Sequence, residues 1–229
     1  MLVVVILALG GGIQNAVTKT LQTFGPDLIV IYPGKETNPV VGLLGGQKFR
    51  EQDLTDLENI AGVKFAVPMG LSTLNVEYEG EVKSIMTHAA NWKKYVEVLE
   101  SSQGIRLKDG RWPENDTVSE VVIGHLAAKT LFKGEVSVGD EIIIRSKRYK
   151  VTGVLSEIGE QMLDNVIFVS LDALHALTDS PSGATSALIK ILPGADIDLV
   201  AQQVKYRLSK QEVVGDFSIL TPDKANRLV

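Results

Sequence analysis

MLVVVILALGGGIQNAV, residues 1–17, decides how the rest of the chain is read. Apolar residues run unbroken over 2–9, meet three glycines at 10–12, and pass into a segment of helical character. Three kinds of structure begin this way, and they imply an enzyme, a secreted protein and a transporter fragment. A dinucleotide-binding turn asks for G-x-G-x-x-G between a strand and a helix, and for an acidic residue closing the second strand. Gly10 and Gly12 fit, but Asn15 stands at the third glycine position, and Pro33 and Gly34 close the next strand with Glu36 beyond them. A secretory leader asks for a positive start and a small-residue cleavage site. No Lys or Arg precedes the apolar run, and the first cation is Lys19. A membrane span asks for about twenty apolar residues. Residues 2–9 are too few for a whole span but suit the outer end of one, with a flexible exit behind it. A buried strand is the plain alternative.

Beyond the glycines, Ile13, Val17, Leu21 and Phe24 recur at helical spacing until Gly25 and Pro26 stop the pattern. DLIVIYPG (27–34) reads as a buried strand, and residues 35–48 as a long loop without periodicity. REQDLTDLENI (50–60) is a short helix stopped by Gly62, and 63–90 is strand-like with a hairpin turn at YEGE (78–81). Pro68 within it calls for an edge or a bulge. WKKYVEVLESS (92–102) reads as a helix followed by a polar loop, and EVVIGHLAAKTLF (120–132) as a strand turning into a helix at Gly124. EIIIR and YKVTGVL in 138–160 are two strands around a short SKR turn, which needs no glycine if it is three or more residues long. NVIFVSLDALHALT (165–178) gives a strand and a helix capped by Ser170 or Asp172. SALIKILPG, DIDLVAQQVKYRLSK and DFSIL follow as strand, helix and strand, with Ile197, Val200, Val204 and Leu208 in register. A final helix opens at TPDKANRLV, with Thr221 as its cap and Pro222 in its first turn.

Composition narrows the function. The 229 residues are 45% hydrophobic and 22% charged, which suits a globular chain rather than a disordered one. A net charge of -5, with no basic run longer than SKRYK (146–150), argues against nucleic acid as a partner. The chain has no cysteine, so disulfides and thiolate chemistry are excluded, and its three histidines, His88, His125 and His175, have no metal-ligand spacing. No catalytic residue, cofactor site or metal site is expected. Asp53, Asp56, Glu58, Asp196 and Asp198 fall on helix surfaces, where they complement helix starts, and no G-x-S-x-G elbow occurs. Strand–helix–strand patterns thus flank a β-rich middle. The expected fold is α+β, a discontinuous domain with an insert, in which both helices of the outer part cover one sheet face.

Several segments together resemble the extracytoplasmic core domain of ABC-transporter permeases of the MacB/FtsX/LolC type. They are FGPDLIVIYPG (24–34), FREQDLTDLENIAGVKFAVP (49–68), GRWPENDTVSEVVIGHLAAKTLF (110–132), VGDEIIIRSKRYKVTGVL (138–155), DNVIFVSLDALHAL (164–177) and DFSILTP (216–222). They follow the family's order over nearly the whole chain, although Ser170 stands where the family usually has Pro. The resemblance implies a discontinuous porter-like α/β sandwich subdomain with an inserted β-rich, sabre-like subdomain. Residues 1–24 would be the end of a first span and a stalk helix, 25–91 and 185–220 the two parts of the porter-like subdomain, 92–184 the insert, and 221–229 the start of a return stalk. It also implies a non-catalytic domain on the outer side of the cell membrane, anchored by flanking spans. Its partners would be a separate cytoplasmic ATPase, a second permease protomer, and a substrate or adaptor outside the membrane. A static docking module at the same location, or a soluble nucleotide-binding enzyme, are the alternatives. Within the 35–48 loop, VVGLLGG is unusually apolar, and Val40, Val41, Leu43 and Leu44 are the candidate partner surface.

Overall fold

The structure, a computed structural model, describes residues 26–34, 48–117, 119–178, 182–211 and 216–226. The apolar opening, the helix expected over 13–24 and most of the 35–48 loop, with Val40, Val41, Leu43 and Leu44, lie outside the described residues.

In chain order the elements are β1 (Leu28–Pro33), α1 (Glu51–Thr55, continued by a 3-10 turn over Asp56–Asn59), β2 (Val63–Tyr78), β3 (Glu81–Ala90) and α2 (Trp92–Glu97, continued by a π-turn over Val98–Ser102). Then come β4 (Leu107–Gly110), β5 (Glu120–Ile123), α3 (His125–Thr130), β6 (Glu141–Ile144), β7 (Lys147–Leu155), α4 (Gln161–Asp164), β8 (Val166–Val169) and α5 (Leu171–Thr178). The last are β9 (Ser186–Ile191), α6 (Ile197–Ser209), β10 (Phe217–Leu220) and α7 (Pro222–Asn226). The fold is α+β. Contacts divide it into a discontinuous unit, Met1–Pro68 with Ala184–Val229, and an inserted unit, Met69–Gly183. The insert therefore begins at Met69, ahead of the 91/92 boundary drawn from the sequence, because the paired residues of the β2–β3 hairpin, Met69 to Ala90, contact the insert.

In the discontinuous unit β1 lies between β10 and β9, antiparallel to both. Alternate residues Ile29, Ile31, Ala187, Ile189 and Ile191 share one buried cluster with Leu54 and Leu57 from α1 and its 3-10 turn, and with Val200, Val204 and Leu208 of α6. Both helices thus cover one face, as the period-2 and period-3.6 patterns require. Each of the three α6 side chains contributes about 1.5–3 kcal/mol by leaving water. Asp196 caps α6, its Oδ1 accepting from the N–H groups of Asp198 (3.0 Å) and Leu199 (3.1 Å). Gly62 ends the segment before β2 at φ +92°, where a Cβ would lie 2.8 Å from Val200 Cγ2. Thr221 was expected to cap the last helix. Its Oγ1 is instead buried at the end of β10 with no hydrogen bond among the described residues.

In the inserted unit the strand pairings form a closed circuit, β2–β3–β8–β5–β7–β6 and back to β2. The β3–β8 and β5–β7 pairs are parallel and the others antiparallel. The ring encloses Leu74, Val76, Ile85, Val121, Ile123, Ile142, Ile144, Val151 and Ile167, with Leu171, Leu174 and Leu177 of α5 and Ala127 and Ala128 of α3 joining the same cluster. Ser170 starts α5, its Oγ accepting from Ala173 N–H at 3.1 Å. The β2–β3 hairpin turns through Glu79 (φ +49°) and Gly80 (φ +80°), a two-residue turn of the primed type.

The SKR turn is tighter than expected. Ile144 pairs directly with Lys147, so only Arg145 (φ +46°) and Ser146 (φ +66°) make the bend, and both adopt the left-handed region without a glycine. A type I′ turn demands positive φ at both central positions whatever residues occupy them. The stretch over 103–119, expected to be a loop, contributes β4, which pairs with β7 despite its polar LKDG sequence. Pro68 lies immediately before Met69, the first residue of the β2–β3 ladder, where its missing N–H removes no bond from that ladder.

Candidate functional surface

The acidic residues singled out in the sequence serve the fold locally. Asp53 holds Arg50 in a fork, accepting from its Nε at 2.7 Å and its Nη2 at 2.8 Å, and this hydrogen-bonded pair raises the guanidinium pKa. Asp56 accepts from Gln52 Nε2 at 2.7 Å, and Glu58 Oε1 accepts the Ala66 N–H at 2.9 Å. In the insert, buried Asp164 accepts from the N–H groups of Ile158 and Gly159, both at 2.9 Å. These contacts hold helix surfaces and turns in place.

The histidines stand on β3, α3 and α5 and do not converge. His175 Nε2 lies 2.9 Å from the Gly183 carbonyl, which accepts its proton. His88 packs against the Phe168 ring (centroids 5.5 Å apart), and its Nδ1 is buried with no hydrogen-bond partner among the described residues. Burial pushes its pKa down to about 4. Tyr95, also packed on Phe168, is pushed up by burial. Among the described residues no group of three His, Asp or Glu side chains could hold a metal ion.

What remains as a candidate is surface. One end of the β2–β3 hairpin is tied to the segment after α3. There Tyr78 stacks edge-on against Phe132 (5.6 Å), Glu81 takes both the Lys133 N–H (3.2 Å) and its Nζ (3.1 Å), and Tyr78 Oη donates to Asp140. Val82, 58% exposed, projects beside this latch. The other surface is the outward side of α6, where Leu199 and Tyr206 are exposed opposite the buried Val200, Val204 and Leu208. The sequence reading followed only the buried register of that helix. The seven-residue spacing of Leu199 and Tyr206 was the available signal for its other side.

The family model of the MacB-like periplasmic core domain matches residues 1–206. The chain belongs to this family. An ABC transporter permease of Methanocaldococcus jannaschii is 30% identical over 224 residues, 98% of this chain and 55% of its own length. The macrolide export ATP-binding/permease protein MacB of Brucella abortus is 25% identical over 232 residues, 95% of this chain and 34% of its own length. The chain thus spans about half of the one and a third of the other. The crystal structure of the periplasmic region of MacB from Actinobacillus actinomycetemcomitans superimposes with a TM-score of 0.73 at 17% identity, covering 90% of this chain and 94% of that one. The extracellular domain of the noncanonic ABC-type transporter YknZ from Gram-positive bacteria gives 0.61 at 17% identity, over 84% and 99%. The chain is therefore a periplasmic core domain of a MacB-like ABC permease. No helix among its described residues is long and apolar enough to cross a membrane.

Proposed function

We propose that this domain stands outside the membrane between flanking spans and couples ATP hydrolysis by a separate cytoplasmic ATPase to efflux, or to mechanical work on a substrate or partner. Two permease protomers act together in this reading, and the 35–48 loop, with Val40, Val41, Leu43 and Leu44, meets the external partner. The porter-like role falls to the discontinuous unit and the sabre-like role to the insert. The single supporting observation is the family match over residues 1–206, made to a periplasmic domain of a known class of export permease.

The chain has no cysteine, so a single reporter cysteine tests its location. Lys129→Cys in the full-length permease, with any cysteine outside this chain replaced, reacts with a membrane-impermeant maleimide in intact cells if the domain is outside, and only after lysis if it is not. Coupling is tested with the permease and its ATPase in proteoliposomes. Substrate movement that continues with a hydrolysis-dead ATPase removes the coupling reading.

A further inference from the structure

α6 carries a face that its own unit leaves open. Val200, Val204 and Leu208 fill the core, while Leu199 is 53% exposed and Tyr206 62% exposed. Those two stand two turns apart on one line of the helix, with Gln202 between them on the same outward side. Three of the five large exposed hydrophobic residues among the described residues, Leu192, Leu199 and Tyr206, lie in or just before this thirteen-residue helix. The Lys210 ammonium sits 4.3 Å from the Tyr206 ring centroid, so the residue that closes α6 stacks a cation on the ring.

The flanking charges select the occupant. Asp198 and Lys205, both exposed, precede Leu199 and Tyr206 by one residue each and so line the same flank of the apolar stripe. A second α6 laid antiparallel, with Leu199 opposite the second copy's Tyr206, brings each Asp198 beside the other copy's Lys205. It also opposes the two helix dipoles. Laid parallel about a two-fold axis, that flank of each helix meets the opposite flank of the other, and the Asp198–Lys205 pairing is lost. We propose that the outward face of α6 is the contact between two copies of this chain, packed antiparallel about a two-fold axis that passes beside Gln202. The inference rests on the two-protomer reading above and names the surface that serves it. Two helices of this length bury less than the roughly 1,200 Å² of a standard interface. The contact is therefore weak alone and forms where flanking spans hold two copies at high local concentration.

The test is oxidative cross-linking of the full-length permease in its membranes, with any cysteine outside this chain replaced. Gln202→Cys is the probe, and Lys129→Cys on the inserted unit is the reference. Differently tagged copies are co-purified from the same membranes. The expected result is a covalent dimer through Q202C at least fivefold above K129C, reduced at least fivefold when Leu199→Asp is added. Cross-linking of Leu199→Cys to itself as readily as Q202C means parallel packing and overturns the proposal. So does a Q202C adduct with a different protein. Co-purification without Q202C cross-linking also overturns it, yet leaves the two-protomer reading standing. Loss of co-purification removes both.

Discussion

Tyr78 Oη donates to Asp140 Oδ2 at 2.8 Å, joining the last residue of β2 to the residue before β6. The same carboxylate oxygen accepts the Ser137 N–H at 2.8 Å. β2 and β6 are the pair that closes the strand circuit of the insert, and only Val76–Ile144 and Glu77–Ile143 are in register there. A closure made by so few ladder residues leans on side-chain contacts beside it. Tyr78→Phe is expected to destabilise by about 1–2 kcal/mol in urea unfolding. The hydrogen bond to Asp140 pushes the phenol up to about 12 from its ordinary 10. The folded state thus holds the proton more tightly than the unfolded one. The stabilisation is complete below pH 10 and is lost as pH rises from about 10 to about 12. In Y78F that part of the alkaline loss should vanish, and an unchanged alkaline profile would show that the latch contributes nothing.

His88 gives a pH dependence of the opposite sense. Its ring, packed on Phe168 with a buried and unpartnered Nδ1, resists protonation in the folded state down to about pH 4. The unfolded chain takes up the proton near pH 6.5. Stability is full above about 6.5 and falls by about 1.4 kcal/mol per pH unit from there toward 4. Thermal melts of parent and His88→Leu at several pH values should diverge over that window, with the variant flatter. Parallel curves would mean that the imidazole protonates freely in place.

The β6–β7 turn holds Arg145 and Ser146 at positive φ on an exposed bend. A side chain in the left-handed region costs about 1 kcal/mol or more. Ser146→Gly should therefore raise stability by about 0.5–1 kcal/mol, offset in part by the greater freedom of glycine in the unfolded chain. A rise in the urea midpoint with an unchanged slope is the expected reading. A fall would show that the Ser146 side chain supports the turn.

Charging the apolar loop separates partner contact from packing. Leu43→Asp or Leu44→Asp is expected to leave expression and thermal stability of the domain unchanged while lowering transport by the full permease at least severalfold. Loss of soluble expression would instead place the two leucines in the domain's own core.

Much of the fold was legible because its signals are local. The unbroken apolar run LIVIYP, the Ile197–Val200–Val204–Leu208 register, Gly62 as a stop and Ser170 as a start each act within a few residues, and β1, α6, the β2 entry and α5 follow them. The separation of a strand–helix–strand frame from a β-rich middle was legible for the same reason, since composition changes along the chain. The candidate surface was less so. A buried helix face announces itself through period 3.6, whereas Leu199 and Tyr206 count as exposed only once α6 has a core to turn away from.

By itself, then, the amino-acid order determined where most strands and helices lie, which sides they bury, and to which family the chain belongs. Tertiary structure alone decided that β3 and β8, and β5 and β7, run parallel, that β6 returns to β2, that polar LKDG becomes a strand, and that the SKR bend tightens to two residues. An alternating strand reads the same whichever neighbour it meets and in whichever direction. Partner and register are set by ring closure over long separations, where the enclosed aliphatic cluster rewards one arrangement and no short stretch of chain records it.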